Sequence, residues 1–360
     1  MNVTETAPFD PAKAEAFAGQ LMATLQGGLL SHLIDIGNRT DLFLAAAGGP
    51  GTSAEIAERA GLHERYVREW LAAMATARIV AYDPPTGTFA LPPEHAALLV
   101  GEGSMAPIAG MNTVLAKYVP ELARVFRDGG GIPYATYCPD FSEAMDAVGR
   151  GAFDRFLIEH YLPLAPGLVD RLAAGARVAD VACGSGHALV LLAKAFPAST
   201  FVGYDLDEGA IARARKEAAA EGLTNVTYEL ADIAEISVGA PFDAVFVFDA
   251  LHDQVDPARV LDRLRRVIAD DGIFFLREPH VADSLEANLE NPMAPVVYSV
   301  STLHCLTVSL AHDGAGIGTA FGEQHARRLL VEAGFADPTL HPAPGQPFDA
   351  VYVTAPSRAA

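Results

Sequence analysis

Basic residues are scarce in this chain. Twenty-five lysines and arginines stand against 45 aspartates and glutamates, a formal net charge of -20 over 360 residues. That balance argues against a polyanion as the main partner, because nucleic-acid affinity comes largely from Lys and Arg neutralising phosphates. Cysteine is scarce too. Cys138, Cys183 and Cys305 are scattered without a CxxC spacing, which argues against a disulfide framework or a zinc knuckle and fits a reducing cytosol. No long apolar run is left uninterrupted, since the stretch 16–36 is broken by Gln20, Gln26, His32 and Asp35. The opening Met1-Asn-Val-Thr-Glu-Thr lacks the basic flank of a signal peptide, so a cytoplasmic protein with no membrane segment is expected.

Apolar residues, by contrast, make up 51% of the chain, ample for real cores, and the length suggests two domains. The chain is organised around Val178-Ala-Asp-Val-Ala-Cys-Gly-Ser-Gly-His-Ala188, an apolar run that ends in glycines and passes into the helical pattern of 189–195. This predicts strand, tight turn and helix. Gly184 and Gly186 permit backbone angles and close approaches that a side chain would block, and the helix behind them aims free N–H groups at the crevice. A dinucleotide fingerprint would place a third Gly or Ala where Leu189 stands, and it gives no reason for a carboxylate at Asp180 facing a pyrophosphate. A ligand carrying an ammonium group does benefit from that acid.

Asp180, Cys183, Gly184 and Gly186 together resemble motif I of the class I S-adenosylmethionine (SAM)-dependent methyltransferases. The strand 200–205 ends in Asp205, where a carboxylate can accept hydrogen bonds from both ribose hydroxyls. The strand 226–231 leads into Asp232 and Ile233, which the resemblance places at the adenine, the acid accepting from the exocyclic amine and the aliphatic residue packing on the ring. It also implies Leu206 and Phe248 as cofactor neighbours. The fold implied is an α/β Rossmann-like sheet of seven strands, mostly parallel with the last strand antiparallel, joined to an amino-terminal helical and winged-helix domain. SAM is the implied cofactor.

In chain order, 11–47 has helical periodicity, Thr52-Ser53 can cap a helix over 54–60, and Val67, Trp70, Leu71 and Met74 share one side of a helix over 64–77. Two short apolar segments flanking Asp83-Pro-Pro-Thr-Gly then suggest a hairpin. Helix, turn, helix and hairpin make a winged helix. Between residues 52 and 80, Arg59, Arg65, Arg68 and Arg78 are matched by Glu55, Glu58, Glu64 and Glu69, so this segment lacks the basic face of a DNA reader. The resemblance implies dimerisation and covering of the active site instead. Residues 1–100 are expected as that domain, 101–150 as a linker or lid, and 151–360 as the SAM-binding domain, with a substrate-side insertion at 280–322. A homodimer is expected.

For chemistry, His252 follows the fourth strand, 244–248, where the plant-type small-molecule O-methyltransferases carry a His-Asp pair. The resemblance implies a general base acting on a small-molecule methyl acceptor, most directly a hydroxyl. Here the Trp of the plant pattern is Gln254. An imidazole with an unperturbed pKa near 6.5 suits the task. Tyr298 and His304 are substrate-side candidates in the insertion. His252, Asp253, Glu278, His280 and His304 offer metal-ligand types but no compact motif, so no metal is expected. Methylation of nitrogen or carbon, a nicotinamide-dependent oxidoreductase and a SAM- or effector-binding winged-helix regulator stay open as alternatives.

Overall fold

A computed structural model describes residues 8–101, 103–346 and 348–357, and the composition of the first six residues noted above lies outside them. Contacts divide the chain into two units, residues 1–113 and 114–360, with the division inside the helix Ala106–Ala116. No helix among the described residues is long and apolar enough to cross a membrane.

The first unit is helical with a small wing. The helical stretch expected over 11–47 is interrupted: Pro11–Arg39 stops at Thr40, Asp41 takes a left-handed backbone (φ 55°), and Leu42–Ala47 restarts. Ser53–Ala60 is held by a capping box in which Thr52 and Glu55 satisfy each other's backbone N–H groups. Glu64–Thr76 follows and turns Val67, Trp70, Leu71 and Met74 inward onto Phe43 and Ile56. The wing is the antiparallel pair β1 (Ala81–Asp83) and β2 (Thr88–Ala90). Trp70 anchors the cluster, donating its indole N–H to the Leu33 carbonyl at 2.8 Å and standing edge-on to Phe43.

The second unit carries the sheet. Its strands are β3 (Arg177–Val181), β4 (Thr200–Asp205), β5 (Val226–Leu230), β6 (Phe242–Phe248), β7 (Ile268–Pro279), β8 (Thr339–Pro342) and β9 (Asp349–Thr354), in the order β5-β4-β3-β6-β7-β9-β8. The first five are parallel, and β9 runs antiparallel to both β7 and β8. Helices cover both faces, so the central strands are apolar throughout: Val178, Phe246 and Phe275 fill one side, Val181, Val247 and Leu276 the other. Strand order reverses between β3 and β6, and a ligand of such a sheet belongs in the crevice beyond the carboxyl ends there.

Residues 101–150, expected as a linker or lid, fold largely into helices: Ala106–Ala116, Val119–Asp128, Tyr134–Tyr137 and the start of Asp140–Phe156. Three prolines of this segment sit at helix starts, Pro120 in a first turn and Pro133 and Pro139 at the N-cap, where a missing N–H is harmless. The helix Asp140–Phe156 runs on into a π-helical turn, Leu157–Tyr161. The 280–322 insertion is also mainly helical, with Ala294–Val300, a π-helical turn Ser301–Cys305 and Leu306–Leu310 in succession.

Candidate active site

The crevice has two halves. On the first, β3 ends at Val181, and Ala182, Gly184 and Gly186 all take positive φ in the turn before the helix His187–Ala195. The two glycines serve different ends. A side chain at Gly184 would meet nothing within 4 Å, so the turn is open there. One at Gly186 would lie 2.3 Å from the Tyr228 ring, whose hydroxyl donates to the Gly186 carbonyl at 3.0 Å. Gly186 therefore makes room for the Tyr228 ring, which reaches the turn from β5.

Asp180 is buried on β3, and its Oδ1 has no hydrogen-bond partner. Burial raises its pKa well above the usual carboxylate range, and the Asp205 charge adds to the effect. Asp205, at the end of β4, accepts the Gly184 N–H on one oxygen and the Asp207 N–H on the other, both at 2.8 Å. Each oxygen keeps acceptor capacity. Cys183 is half-buried beneath this turn, its N–H bonded to the Tyr204 carbonyl. Leu206 and Asp232 are exposed, whereas Ile233 is buried in the core beside Tyr204 and Val247. Phe248 packs against Phe246, Phe275 and Phe153.

Several neighbours of this half escaped the sequence. Tyr134 stands close enough to Asp205 and Cys138 that their charges, after burial, push its phenol upward. Asp146 accepts from the Ser185 hydroxyl in the glycine turn and from Arg150, and Arg150 also grips Glu217 through two nitrogens at 2.8 Å each. Helix Asp140–Phe156 is thereby tied to the turn by charge. Nothing local in that helix's sequence announces the contact, which depends on where the helix lands.

The second half lies at the ends of β6 and β7. His252, on the short turn Leu251–Asp253, is only 3% exposed, and its Nδ1 bonds a fully buried Glu278 carboxylate. The other Glu278 oxygen accepts the N–H groups of Leu251 at 2.6 Å and Ala250 at 3.2 Å. Glu278 had been noticed only as a metal-ligand type, and its role as histidine partner appears once β7 lies beside β6. Burial works against a charged imidazole at His252, but the Glu278 and Asp253 carboxylates outweigh it and raise its pKa well above the ordinary value. Asp253 is pushed up to about 6 by burial, against the opposing pull of His252. Arg277 is buried as well, ion-paired with Asp349 at 3.4 Å and walled by Phe153 and Phe248.

His304 is fully buried and stacks on Phe141 with ring centroids 3.6 Å apart. Tyr134 and Tyr137 stand edge-on to it. Neither of its ring nitrogens has a hydrogen-bond partner, and burial lowers its pKa to about 3. Its Nδ1 lies 3.9 Å from an Asp253 oxygen, so folding joins His304 to His252 across the insertion. Tyr298 is occupied differently, since its hydroxyl accepts from the Asn288 amide at 3.3 Å within the insertion itself.

An unpartnered carboxylate behind an open glycine turn, and a second strand-end carboxylate with free acceptor capacity, fit the ammonium and ribose of SAM. Sheet order, glycine turn and acids together define the class I SAM-dependent methyltransferase fold. Residues 172–334 match the family model of a methyltransferase domain, and residues 28–100 that of an Rv2258c-like winged HTH domain. Residues 172–334 thus carry a methyltransferase domain, preceded by a winged-helix domain over residues 28–100.

Among curated relatives, it is 34% identical to a trans-aconitate 2-methyltransferase of Methylobacterium nodulans over 34% of this chain and 42% of that protein. It is 29% identical to one from an Acidovorax species over 50% of this chain and 63% of that protein. The chain spans about half the length of these relatives. The mitomycin 7-O-methyltransferase structure matches with a TM-score of 0.69 at 19% identity, over 97% of this chain and all of that one. The human N-acetylserotonin methyltransferase in complex with SAM matches with a TM-score of 0.68 at 15% identity, over 99% of this chain and 100% of that one. At such identities the likeness shows the fold.

Proposed function

We propose that this chain transfers a methyl group from SAM to a small-molecule acceptor, most directly a hydroxyl oxygen, with His252 as the proton acceptor. The observation that carries the reading is the buried, unpartnered Asp180 carboxylate behind the open turn at Gly184, one strand away from the His252–Glu278 pair. SAM supplies an electrophilic sulfonium methyl. Asp180 offers its charge to the ammonium end, Asp205 accepts from the ribose, and Asp232 with Ile233 is assigned to the adenine. The His252 Nδ1–H donates to Glu278, which fixes the tautomer and leaves the Nε2 lone pair to accept the acceptor's proton. A positioned base contributes roughly 100- to 10,000-fold. Phe141, Tyr137 and His304 exclude water from that side.

The relatives and structural neighbours include methyltransferases of trans-aconitate, mitomycin and N-acetylserotonin, all small molecules, which supports such an acceptor here. The winged helix is assigned to assembly rather than to DNA. Arg65 and Arg68 are already paired with Glu69 and Glu64 at 2.5 and 2.7 Å along their own helix. On the helix Pro11–Arg39, Phe17, Leu21, Met22, Leu25 and Leu29 are all exposed, a face suited to a second copy. The working form is then a cytoplasmic homodimer.

The experiment is a thermal-shift comparison of S-adenosylhomocysteine with NADH, on the wild type and on Asp205→Ala. At about 100 times its dissociation constant a ligand adds roughly 2.7 kcal/mol. A shift with S-adenosylhomocysteine alone, reduced in Asp205→Ala, supports the reading, and a shift with NADH alone overturns it. Mass spectrometry of hydroxyl, carboxyl and amine acceptors incubated with SAM then separates the possible methylated atoms. Sedimentation of the 37.9 kDa chain at twice its mass checks the dimer.

A further inference from the structure

The methyl-transfer reading leaves part of the second half of the crevice unexplained. His304 contributes two ring nitrogens with no partner, and Asp253 an oxygen with none, all buried. Buried polar groups left unsatisfied cost stability, most of all where a charge is involved, so their retention calls for a partner. Beside them lie the buried Cys305 thiol and His252, and the ligand atoms of His252, Asp253 and Cys305 fall within 4.8 Å of one another. His252 Nε2 is 3.4 Å from Asp253 Oδ1, and His304 Nδ1 is 3.9 Å from Asp253 Oδ2.

We propose that His252, Asp253, His304 and Cys305 form a binding site for a thiophilic divalent transition-metal ion of the zinc class. Two imidazoles, a carboxylate and a thiolate are the ligand types zinc takes in four-coordinate sites. With metal–ligand distances of about 2.0 to 2.3 Å, a tetrahedron separates its donor atoms by about 3.3 to 3.7 Å. The ligand atoms of His252, Asp253 and Cys305 need shifts of up to about an ångström, while His304 lies outside that group and reaches the ion by a larger movement from its place 3.9 Å from Asp253. The surroundings match as well. Glu278 holds His252 by Nδ1 and is itself held by two backbone N–H groups, the outer-shell arrangement that orients a ligating imidazole. His304 and Cys305 are adjacent on a π-helical turn, a local widening frequent at functional sites.

The bookkeeping of the binding step is simple. Metal–sulfur, metal–nitrogen and metal–oxygen bonds form, the Cys305 thiol proton and the Nε2 proton of the charged His252 imidazole leave to solvent, and no electron is transferred. Thiolate and Asp253 carboxylate together neutralise the dication. Burial keeps the Cys305 thiol up at about 12 before binding, so affinity rises with pH. One consequence rests on the proposed function: an ion on His252 Nε2 occupies the lone pair that would accept the acceptor's proton, so metal occupancy reversibly inhibits methyl transfer.

The test uses the full chain, freed of metal with a chelator. Titration with zinc by calorimetry should give one ion per chain, and cobalt(II) should give a thiolate-to-cobalt charge-transfer band. Cys305→Ser, close to isosteric, should abolish that band, and His304→Gln should weaken zinc binding by 100-fold or more. Glu278→Gln should weaken it about 10- to 100-fold through the His252 orientation. Absence of stoichiometric binding, or a cobalt band that survives in Cys305→Ser, would overturn the proposal. A chain that binds S-adenosylhomocysteine and turns over but takes no zinc loses this site and keeps its proposed function. A chain that takes zinc but binds no S-adenosylhomocysteine does the reverse.

Discussion

The two halves of the crevice are built by different means. The β3–β4 half is a continuous stretch of backbone: Asp180, the glycine turn and the following helix are neighbours in sequence, and Asp205 reaches them from the adjacent parallel strand. The β6–β7 half is assembled from separate segments, with His252 after β6, Glu278 on β7 and His304 in the insertion. In the first, conformation carries the site, through positive φ and open space. In the second, charge does, through carboxylates and imidazoles removed from water and tuned by one another. The fold of the first should therefore fail by steric change, with its acids felt in ligand binding, and the second by change of charge.

The largest effect is expected in the second half. Glu278→Gln should lower turnover by roughly 100-fold or more while the S-adenosylhomocysteine thermal shift is kept, because it removes the anchor of the proposed base. Equal loss of both would erase the distinction between the halves. Next is Gly186→Val. A side chain there meets the Tyr228 ring at 2.3 Å and must hold φ at 72°, so overpacking and left-handed strain together should cost about 3 kcal/mol of stability, measured by denaturant unfolding. Asp180→Asn should weaken S-adenosylhomocysteine by about 1.5 to 3 kcal/mol in calorimetry with little effect on folding, since its buried oxygen has no partner within the chain.

The pH dependence sharpens the comparison further. His252 binds its proton more tightly in the folded chain, so the stability it contributes is fully present below about 6.5 and is lost as pH rises through the raised folded value. A base must be deprotonated, so turnover should climb through that same window. In Glu278→Gln the climb should move to lower pH, and a profile that stays in place would remove Glu278 from the tuning of His252. The smallest effect lies outside the crevice, where Thr52→Ala should cost about 1 kcal/mol through loss of the capping box.

Legibility followed the same division. The glycine turn and the strand-end acids Asp180 and Asp205 could be read from sequence because their spacing is imposed by one chain segment turning on itself. Within 101–150 the sequence did not set the helix boundaries, because prolines that open helices look like prolines that end them. Glu278 and Asp146 had no local signature, since each acquires its role from a neighbour far away in sequence. Cys305 was set aside for want of a ligand motif, yet folding brings it next to His252 and Asp253.

By itself, the sequence determined the alternation of strands and helices, the glycine turn and the strand-end acids beside it, because periodicity and backbone freedom are local properties of the chain. The tertiary structure alone decided which imidazole meets which carboxylate, which of two glycines stays open, and where polar atoms are buried without partners. Those depend on strand order and helix placement, which bring distant residues within hydrogen-bonding range and set the dielectric in which they titrate.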